Sequence, residues 1–453
     1  MSFSLTKELL EDIKSFVDFR NTERLRELFA ELHPADIAKI IDKLNREQAA
    51  FILSALEDET AAEVVTFLDE ETREKFMQIL SPKEIAEKVI DNLDSDDAAD
   101  IISELPEEKQ RKVLSEIEDY EQAKDIADLL NYDEDSAGGL MAKELVKINL
   151  NSSLIQTVRE IRKQAEKIED LFAVYVVDDR DVLLGILPIK NLLLAPNNAK
   201  LEDIIIKEGL VAVNAHEKKE KVAEIMRKYD LVVLPVVDGL GRLIGRITID
   251  DVVDVMQEEA EKDYQLASGI SEDVGSDDKV WLLSRARLPW LLIGLLGGIV
   301  GSRVIGQYEA ELQIHPEMAF FIPLIAAMGG NAGVQSSAII VQSLAGGTIS
   351  TKKILPRLFK ELIVALISGL VCASVLLGYS IIFTDSFSLS MTVSISLITV
   401  IVLASIMGTF IPLMLDRFRI DPALATGPFI TTSNDIIGLF VYFSMGRLLY
   451  GVF

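Results

Sequence analysis

The last 173 residues of the chain are almost free of charge, and this restricts what they can fold into more than any other feature. Residues 281–453 hold eight of the 72 acids and ten of the 45 bases, so residues 1–280 carry a net charge of −29. Runs 288–302, 318–351, 362–384 and 386–415 contain no Asp, Glu, Lys or Arg, and run 422–446 is interrupted only by Asp435. A helix needs ~20 apolar residues to cross the hydrocarbon layer. The first run reaches that length if it is extended through Trp281–Ala286 while Arg287 and Arg303 snorkel. The expected architecture is a water-soluble acidic half followed by an α-helical transmembrane domain of five spans.

Lys and Arg gather on cytoplasmic loops. Arg285 and Arg287, then Lys352, Lys353, Arg357 and Lys360, then Arg417 and Arg419 fall on one side of the five runs. Glu309, Glu311, Glu317 and Asp385 fall on the other, with Arg303 and Arg447 as the bases near that face. This predicts a multi-pass protein of the cell (inner) membrane with its N-terminal half cytoplasmic and its C-terminus outside. The first residues lack a basic stretch followed by an apolar core, so no cleaved signal is expected.

So acidic a domain repels phosphate, which argues against nucleic acid and points to cations. Cys372 is the single cysteine and His33, His216 and His315 are scattered, which argues against a disulfide framework and a zinc enzyme. Asp435 lies in the middle of the fifth run, where a charge costs ~2.5–3.5 kcal/mol on insertion scales. It is either a protonated structural carboxyl or a site for a cation or proton. In the second run Pro323 and the Gly329-Gly330-Asn331-Ala332-Gly333 stretch read as poor material for a continuous helix. Irregular backbone lining a cavity is therefore expected there. Gly427-Pro428 and Thr431 to Asp435 repeat the theme, whereas Gly297, Gly298 and Gly301 read as helix-packing positions. Carbonyl, amide and carboxylate oxygens are hard ligands that suit Mg²⁺.

In the soluble half, residues 171–195 and 231–255 match at an offset of 60. Leu171 to Asp178 parallels Leu231 to Asp238, and Gly185 parallels Gly245. Each copy reads as a helix, a strand ending in Val-Val-Asp, a turn, a second strand and a helix. The last helix continues through Asp250, Asp251, Asp254, Glu258, Glu259 and Glu261 without a base until Lys262. Like charges four residues apart repel by ~0.2–0.5 kcal/mol per pair, a cost that a bound cation removes. Before the repeat, residues 1–135 read as all-helical, with Ile37, Ile40, Ile41, Val64, Val65, Leu68, Ile101, Ile102 and Leu105 on apolar faces. Pro34-Ala35-Asp36-Ile37 recurs weakly as Ala98-Ala99-Asp100-Ile101, which suggests a helical solenoid. Asp94, Asp96 and Asp97 are either cation ligands or helix caps.

The duplicated segment resembles paired cystathionine-β-synthase (CBS) domains, which bind adenosine nucleotides in many proteins. Its second copy keeps the Gly-x-x-Thr-x-x-Asp signature as Gly245, Thr248 and Asp251, while the first copy has Gly185, Pro188 and Asn191 at those positions. That resemblance implies one ATP-type site. The whole chain resembles the MgtE family of magnesium transporters, through Asp96-Asp97-Ala98-Ala99-Asp100, Ser136 to Met141, Pro323 with Gly329 to Gly333, Asp421-Pro422-Ala423-Leu424, and Asn434-Asp435 with Gly438.

The resemblance implies an N-terminal all-α superhelical domain (1–135), an α/β CBS pair (136–200 and 201–256), an acidic connecting plug helix and linker (250–280) and a pore domain (281–453). It implies a homodimer in which Asp435, assisted near Asn331 and Thr431, holds Mg²⁺ in the pore. Sensor positions carried over are Glu63, Asp96, Asp100, Gly139, Glu220, Asp230, Asp251, Asp254, Glu259 and Asp421. Lys262 stands where the family has an acid, with Glu261 and Asp263 as neighbouring substitutes. The implied function is Mg²⁺ import down the electrochemical gradient, closed by cytosolic Mg²⁺ and serving ion homeostasis, with no enzymatic step and no Gly-x-x-x-x-Gly-Lys-Ser/Thr motif. The alternatives are a CBS-regulated channel for Co²⁺ or Mn²⁺, an anion channel, and a membrane sensor that transports nothing.

Overall fold

Short helices with a polar residue at most starts build the first 130 residues. The computed structural model describes residues 5–166, 168, 171–196, 199–272, 274, 275, 278–345, 354–383, 386–425 and 427–449. Lys352, Lys353 and Asp385, which carry part of the orientation argument, lie outside them. The chain divides into two units, Met1–Gln257 and Glu258–Phe453.

The first unit opens with helices α1 (Lys7–Asp18), α2 (Thr22–Phe29), α3 (Pro34–Ile41), α4 (Arg46–Ala55), α5 (Asp58–Thr66), α6 (Glu70–Ile79), α7 (Pro82–Lys88), α8 (Ser95–Ser103), α9 (Glu107–Glu116) and α10 (Tyr120–Leu129). Side chains of Thr6, Asn21, Asn45, Asp69, Ser81 and Asp119 accept from backbone N–H groups of the first turns, satisfying donors that have no partner inside the helix. From α3 onward helices pack on the next but one: α3 on α5, α4 on α6, α5 on α7, α7 on α9 and α8 on α10. Side chains repeat with that stacking. Lys109 Nζ donates to Met77 O and Leu80 O at 2.6 and 3.0 Å, and Gln122 Nε2 donates to Ile90 O and Leu93 O at 3.0 and 3.2 Å. The expected solenoid is present, and Ile37, Ile40, Ile41, Val64, Val65, Ile101 and Ile102 are all in its core.

The duplication folds as two three-stranded sheets. The first contains β1 (Val146–Asn149), β2 (Val174–Val177) and β3 (Leu183–Leu187), and helix α11 (Leu154–Ala165) joins β1 to the parallel β2. After α12 (Ile189–Leu194) and α13 (Leu201–Ile204) come β4 (Val213–Asn214), α14 (Lys219–Tyr229), β5 (Val233–Val237) and β6 (Leu243–Thr248). The antiparallel pairs carry the same register shift, at Val176/Val177 and Val236/Val237. Leu183 N donates to Gly241 O at 3.1 Å and Leu243 N to Asp181 O at 2.9 Å, so the copies exchange equivalent bonds across a local twofold. Gly185 and Gly245 are packing necessities. A Cβ there would stand 2.7 Å from Ile206 O and from Met141 Sδ respectively.

Helix α15 (Ile249–Ala267) starts in the first unit and ends in the second. The second unit continues with α16 (Val280–Gln307), α17 (Glu309–Ile314), α18 (Ile322–Ala345), α19 (Ile354–Phe383), α20 (Phe387–Arg417) and α21 (Pro428–Leu449). Among the described residues four segments are long and apolar enough to cross a membrane: Val280–Gln307, Pro316–Leu344, Ile354–Phe383 and Phe387–Arg417. The fifth run folds as the 22-residue α21. Helix α20 is the hub, packed by α18, α19 and α21, with Leu389, Val393, Leu397, Val400 and Ile401 buried. Leu291, Leu295, Ile367, Val371 and Val375 are exposed, an apolar exterior suited to lipid.

The expected break in the second run is absent: α18 is continuous through Gly329 to Ser337. Its carbonyls stay in the helix because the glycines serve close packing. A Cβ on Gly333 would strike Asn434 Nδ2 and stand 2.9 Å from Ile430 Cγ2, and one on Gly408 of α20 would strike the Gly333 carbonyl. Such contacts outweigh the ~1 kcal/mol helix cost of glycine. Gly297 is likewise tight, against Thr432, whereas Gly298 faces open space. Gly333→Ala is therefore expected to destabilise the detergent-solubilised protein by about 1–3 kcal/mol, read as a lower melting temperature. Gly298→Ala should melt with the wild type, and equal melting of both variants would remove the packing explanation.

Candidate cation sites

Two clusters of oxygen ligands emerge, one in each unit. In the first unit, α8 brings Asp94, Asp96, Asp97 and Asp100 together, and the start of α15 adds Asp250 and Asp251. Asp94 stands at the N-cap yet makes no side-chain capping bond. The cap comes from Glu144, which accepts from Ser95 N at 3.2 Å and from Ser95 Oγ at 2.8 Å. Carboxylate oxygens of Asp94, Asp96 and Glu144 lie within 4.8 Å of one another, close enough to share one metal ion. Glu144 has no local signal in the sequence, because it lies 41 residues beyond the end of α8 and only the fold brings it there.

Asp97 and Asp100 keep exposed side chains and Asp96 is half-buried, and partial loss of solvent acts on all three together with like charge. Loss of solvent, then the charges of Asp251, Asp97, Glu144 and Asp94, push the Asp96 carboxyl well above the usual range. Asp97 is pushed up to about 6 by loss of solvent and then by Asp251, Asp94 and Asp250. Asp100 is pushed up to about 7 by loss of solvent and then by Asp97, Glu134 and Asp251. Arg73 draws both back, but its guanidinium is already engaged by Glu104. Arg246 Nη2 reaches Asp94 Oδ2 at 3.7 Å.

Asp251 has a second role. It accepts from Thr248 N at 3.2 Å and Thr248 Oγ1 at 2.7 Å, which caps α15, and its carboxyl is raised by burial and by Asp250 and Asp254. Thr248 and Asp251 of the nucleotide signature thus meet, and Gly245 lies three residues before Thr248 in β6. Gly139 is held against Asp133 O and the backbone of Glu134, the acid that acts on Asp100. Glu63 on α5, Glu220 in the first turn of α14, and Asp230 are not among the groups acting most strongly on Asp96, Asp97 or Asp100. Asp230 closes α14 with φ +51°. Asp254 is exposed on α15.

In the second unit Asp435 is the eighth residue of α21 and half-buried, and takes part in no ion pair among the described residues. A Cβ on Gly330 would lie 3.5 Å from Asp435 Oδ1 and 3.2 Å from Thr431 Cγ2, so the α18 glycines give these side chains room. Asn331 is the next residue and is exposed. The Thr431 hydroxyl bonds back to Gly427 O at 3.0 Å. Asn434 is buried, and its Nδ2 has no hydrogen-bond partner among the described residues.

The far end of α15 also lies in this unit, against the entry to α21. Gly427 has φ +51° and its absent Cβ would strike Ala267 O, while Gly269, at φ +81°, lies against the Pro428 ring. Both positions need glycine, for the left-handed backbone and for the contact. Asp263 of α15 is raised by burial and then by Asp421 and Glu259, whereas Glu259 pairs with Lys262 at 3.2 Å. Asp421 Oδ1 caps the following turn through Ala423 N at 2.8 Å.

The raised carboxyls on α8 fix a sign. An acid whose folded pKa exceeds its unfolded value binds more protons when folded, so its contribution to stability falls as pH rises between the two values. For Asp97 and Asp100 that window runs from 3.8 to about 6 and about 7 respectively. With a chelator present, Asp100→Asn should raise the melting temperature of the first unit within the full-length protein at pH 8 more than at pH 5. A gain independent of pH would show that Asp100 is not held against its charge.

Family models match most of the chain: the MgtE intracellular N domain at 32–135, the CBS domain at 137–198 and 201–258, and the divalent cation transporter model MgtE at 322–445. The magnesium transporter MgtE of Thermus thermophilus is 34% identical over 321 residues, which cover 70% of this chain and 71% of that one. The Bacillus subtilis protein of the same name is 32% identical over 315 residues, 70% of each chain. Among solved structures, the cytosolic domain of the Mg²⁺ channel MgtE in complex with ATP superposes with a TM-score of 0.51 at 32% identity, covering 55% of this chain and all of that one. The chain belongs to the MgtE family, a family of magnesium transporters and not of enzymes.

Proposed function

We propose that this chain is a channel-like Mg²⁺ importer of the cell membrane, closed from the cytosolic side by the ion it carries. One observation carries the reading: carboxylates of α8, Glu144 and the start of α15 are gathered in excess of the bases that reach them, Arg246 beside Asp94 and Arg73, so a bound cation relieves the arrangement. A cation that binds only the gathered form favours it by mass action. Coupling of ~1–3 kcal/mol per site suffices when several act together. The ends of α15 lie in different units, and its last turn rests on the entry to α21, so the closing ion at one end has a mechanical route to the helix of Asp435.

The transmembrane domain in this reading has five spans with α21 as the fifth, an outside C-terminus, and a pore completed by a second copy. Asp435 binds Mg²⁺ through a largely retained water shell, with Asn331 and Thr431 nearby, because Mg²⁺ gives up water reluctantly. Inward flux gains ~2.3 kcal/mol per charge per 100 mV, so no ATP hydrolysis is needed. Asp96, Asp100, Gly139, Asp251 and Asp254 serve as sensor positions, as do Glu63, Glu220 and Asp230. Because Glu259 is already paired with Lys262, Asp263 with Asp421 takes the position near the membrane. The ATP complex of the similar cytosolic domain supports a nucleotide site at Gly245, Thr248 and Asp251. Asp251 would then link nucleotide to Mg²⁺ closure.

The test is Mg²⁺ flux into proteoliposomes with internal-side Mg²⁺ varied from micromolar to about 10 mM, a range that includes sensor-type affinities. Wild-type flux should fall as internal Mg²⁺ rises, and Asp435→Asn should abolish it at every concentration. Asp96→Asn should keep the maximal flux and move the closing concentration up by about five- to tenfold. Flux unchanged by Asp435→Asn would refute the pore assignment. Equal flux of Co²⁺ or Mn²⁺ would make the protein a general divalent cation channel.

A further inference from the structure

Helices α18 and α19 both pack on α20, but an apolar groove of about 1100 Å³ parts the first two turns of α18 from the second half of α19. Its walls include Leu324 and Met328 of α18 and Cys372 and Leu376 of α19. Beyond the groove, where the chain passes from α18 to α19, Ser336 Oγ lies 2.6 Å from Glu361 Oε1. Ser336 is buried on α18 and Glu361 stands in the third turn of α19. A carboxylate bordering the membrane-spanning run, with its bond directed into the helix bundle, is a costly choice and signals function.

Two features set this bond apart from incidental polarity. Arg357 is four residues before Glu361 on α19, where an Arg and Glu ordinarily pair, yet the Arg357 Nη1 is buried without a hydrogen-bond partner among the described residues. The Glu361 carboxylate reaches across to α18 instead. Ser336 has a single hydroxyl proton, and its Oγ is also 2.9 Å from Ala332 O. Serine bonded only to the carbonyl four residues back bends and loosens a helix, so the carboxylate draws the proton toward α19. Asn331 lies five residues earlier, about 7.5 Å along the axis, so a tilt of α18 at Ser336 displaces it from the Asp435 region.

We infer that Glu361 is a positioning residue for transport, and that its bond to Ser336 is the strut that holds α18 against α19. The transport consequence rests on the proposed function; the strut does not. The experiment uses the full-length protein in lipid, with Glu361→Ala, Glu361→Gln, Ser336→Ala and the double Ser336→Ala/Glu361→Ala variant. Hydrogen exchange over residues 331–345 is measured beside the KM and maximal rate of Mg²⁺ flux.

Glu361→Ala and Ser336→Ala should each speed exchange and raise KM by about two- to thirtyfold. The double variant should be no worse than either single change. Glu361→Gln keeps an acceptor oxygen and should behave as wild type, and it folds without a lost contact if the alanine variants do not. Impairment of Glu361→Gln equal to that of Glu361→Ala would overturn the strut in favour of a role for the charge, as would additive losses or unchanged exchange in both alanine variants. Wild-type protein that carries no Mg²⁺ would refute the transport proposal, while exchange would still decide the strut.

Discussion

Mutual repulsion among carboxylates at the α8–α15 junction is the constraint on which the rest of the proposed mechanism depends. A folded protein ordinarily spreads acids over its surface or pairs them with bases. Here Asp96 is withdrawn from solvent beside Asp251, Asp97 and Glu144, while Arg73 is engaged by Glu104 and Arg246 reaches only Asp94, at 3.7 Å. Apolar burial elsewhere tolerates that cost: the first unit has a continuous core running from Ile13 on α1 to Val255 on α15. The repulsion is therefore held in place by the fold, and the proposed mechanism uses a divalent ion to relieve it.

Much of the architecture was readable in the sequence because its signals are periodic or bulk properties. The offset of 60 between Leu171–Asp178 and Leu231–Asp238 survives into the strands, down to the same register shift at the Val-Val pair. Charge-free runs anticipated the long helices, and Trp281 to Ala286 do extend the first of them, α16. Acids on α8 and at the start of α15 were singled out from composition and from the family resemblance, and the fold brings them together.

What was not readable depends on partners distant in sequence. Glu144 looks like any surface acid until Ser95 is brought to it. The glycines of α18 are ambiguous in isolation, since glycine can break a helix or let two helices approach, and only α20 and α21 decide between these outcomes. Asp94 seemed as suited to capping as to metal binding, and it is Glu144 that takes the cap. The contact of Gly427 and Gly269 with the end of α15 had only the glycines themselves as a signal, without a hint of which segments met.

In the proposed mechanism that last contact lets the sensor act on the pore through a single element, α15. A helix of 19 residues is about 28 Å long and is stiff on that scale, so displacement at one end reaches the other nearly undiminished. Within the second unit, Ala267 and Gly269 touch Gly427 and Pro428, one to two turns before Thr431 and Asp435. A side chain at either glycine would act as a spacer and keep the surfaces apart. Left-handed glycines on both sides therefore let the contact close tightly, Gly427 against the Ala267 carbonyl and Gly269 against the Pro428 ring and Trp290. In the proposed mechanism the end of α15 seats here when the carboxylates are bridged and leaves when they are not.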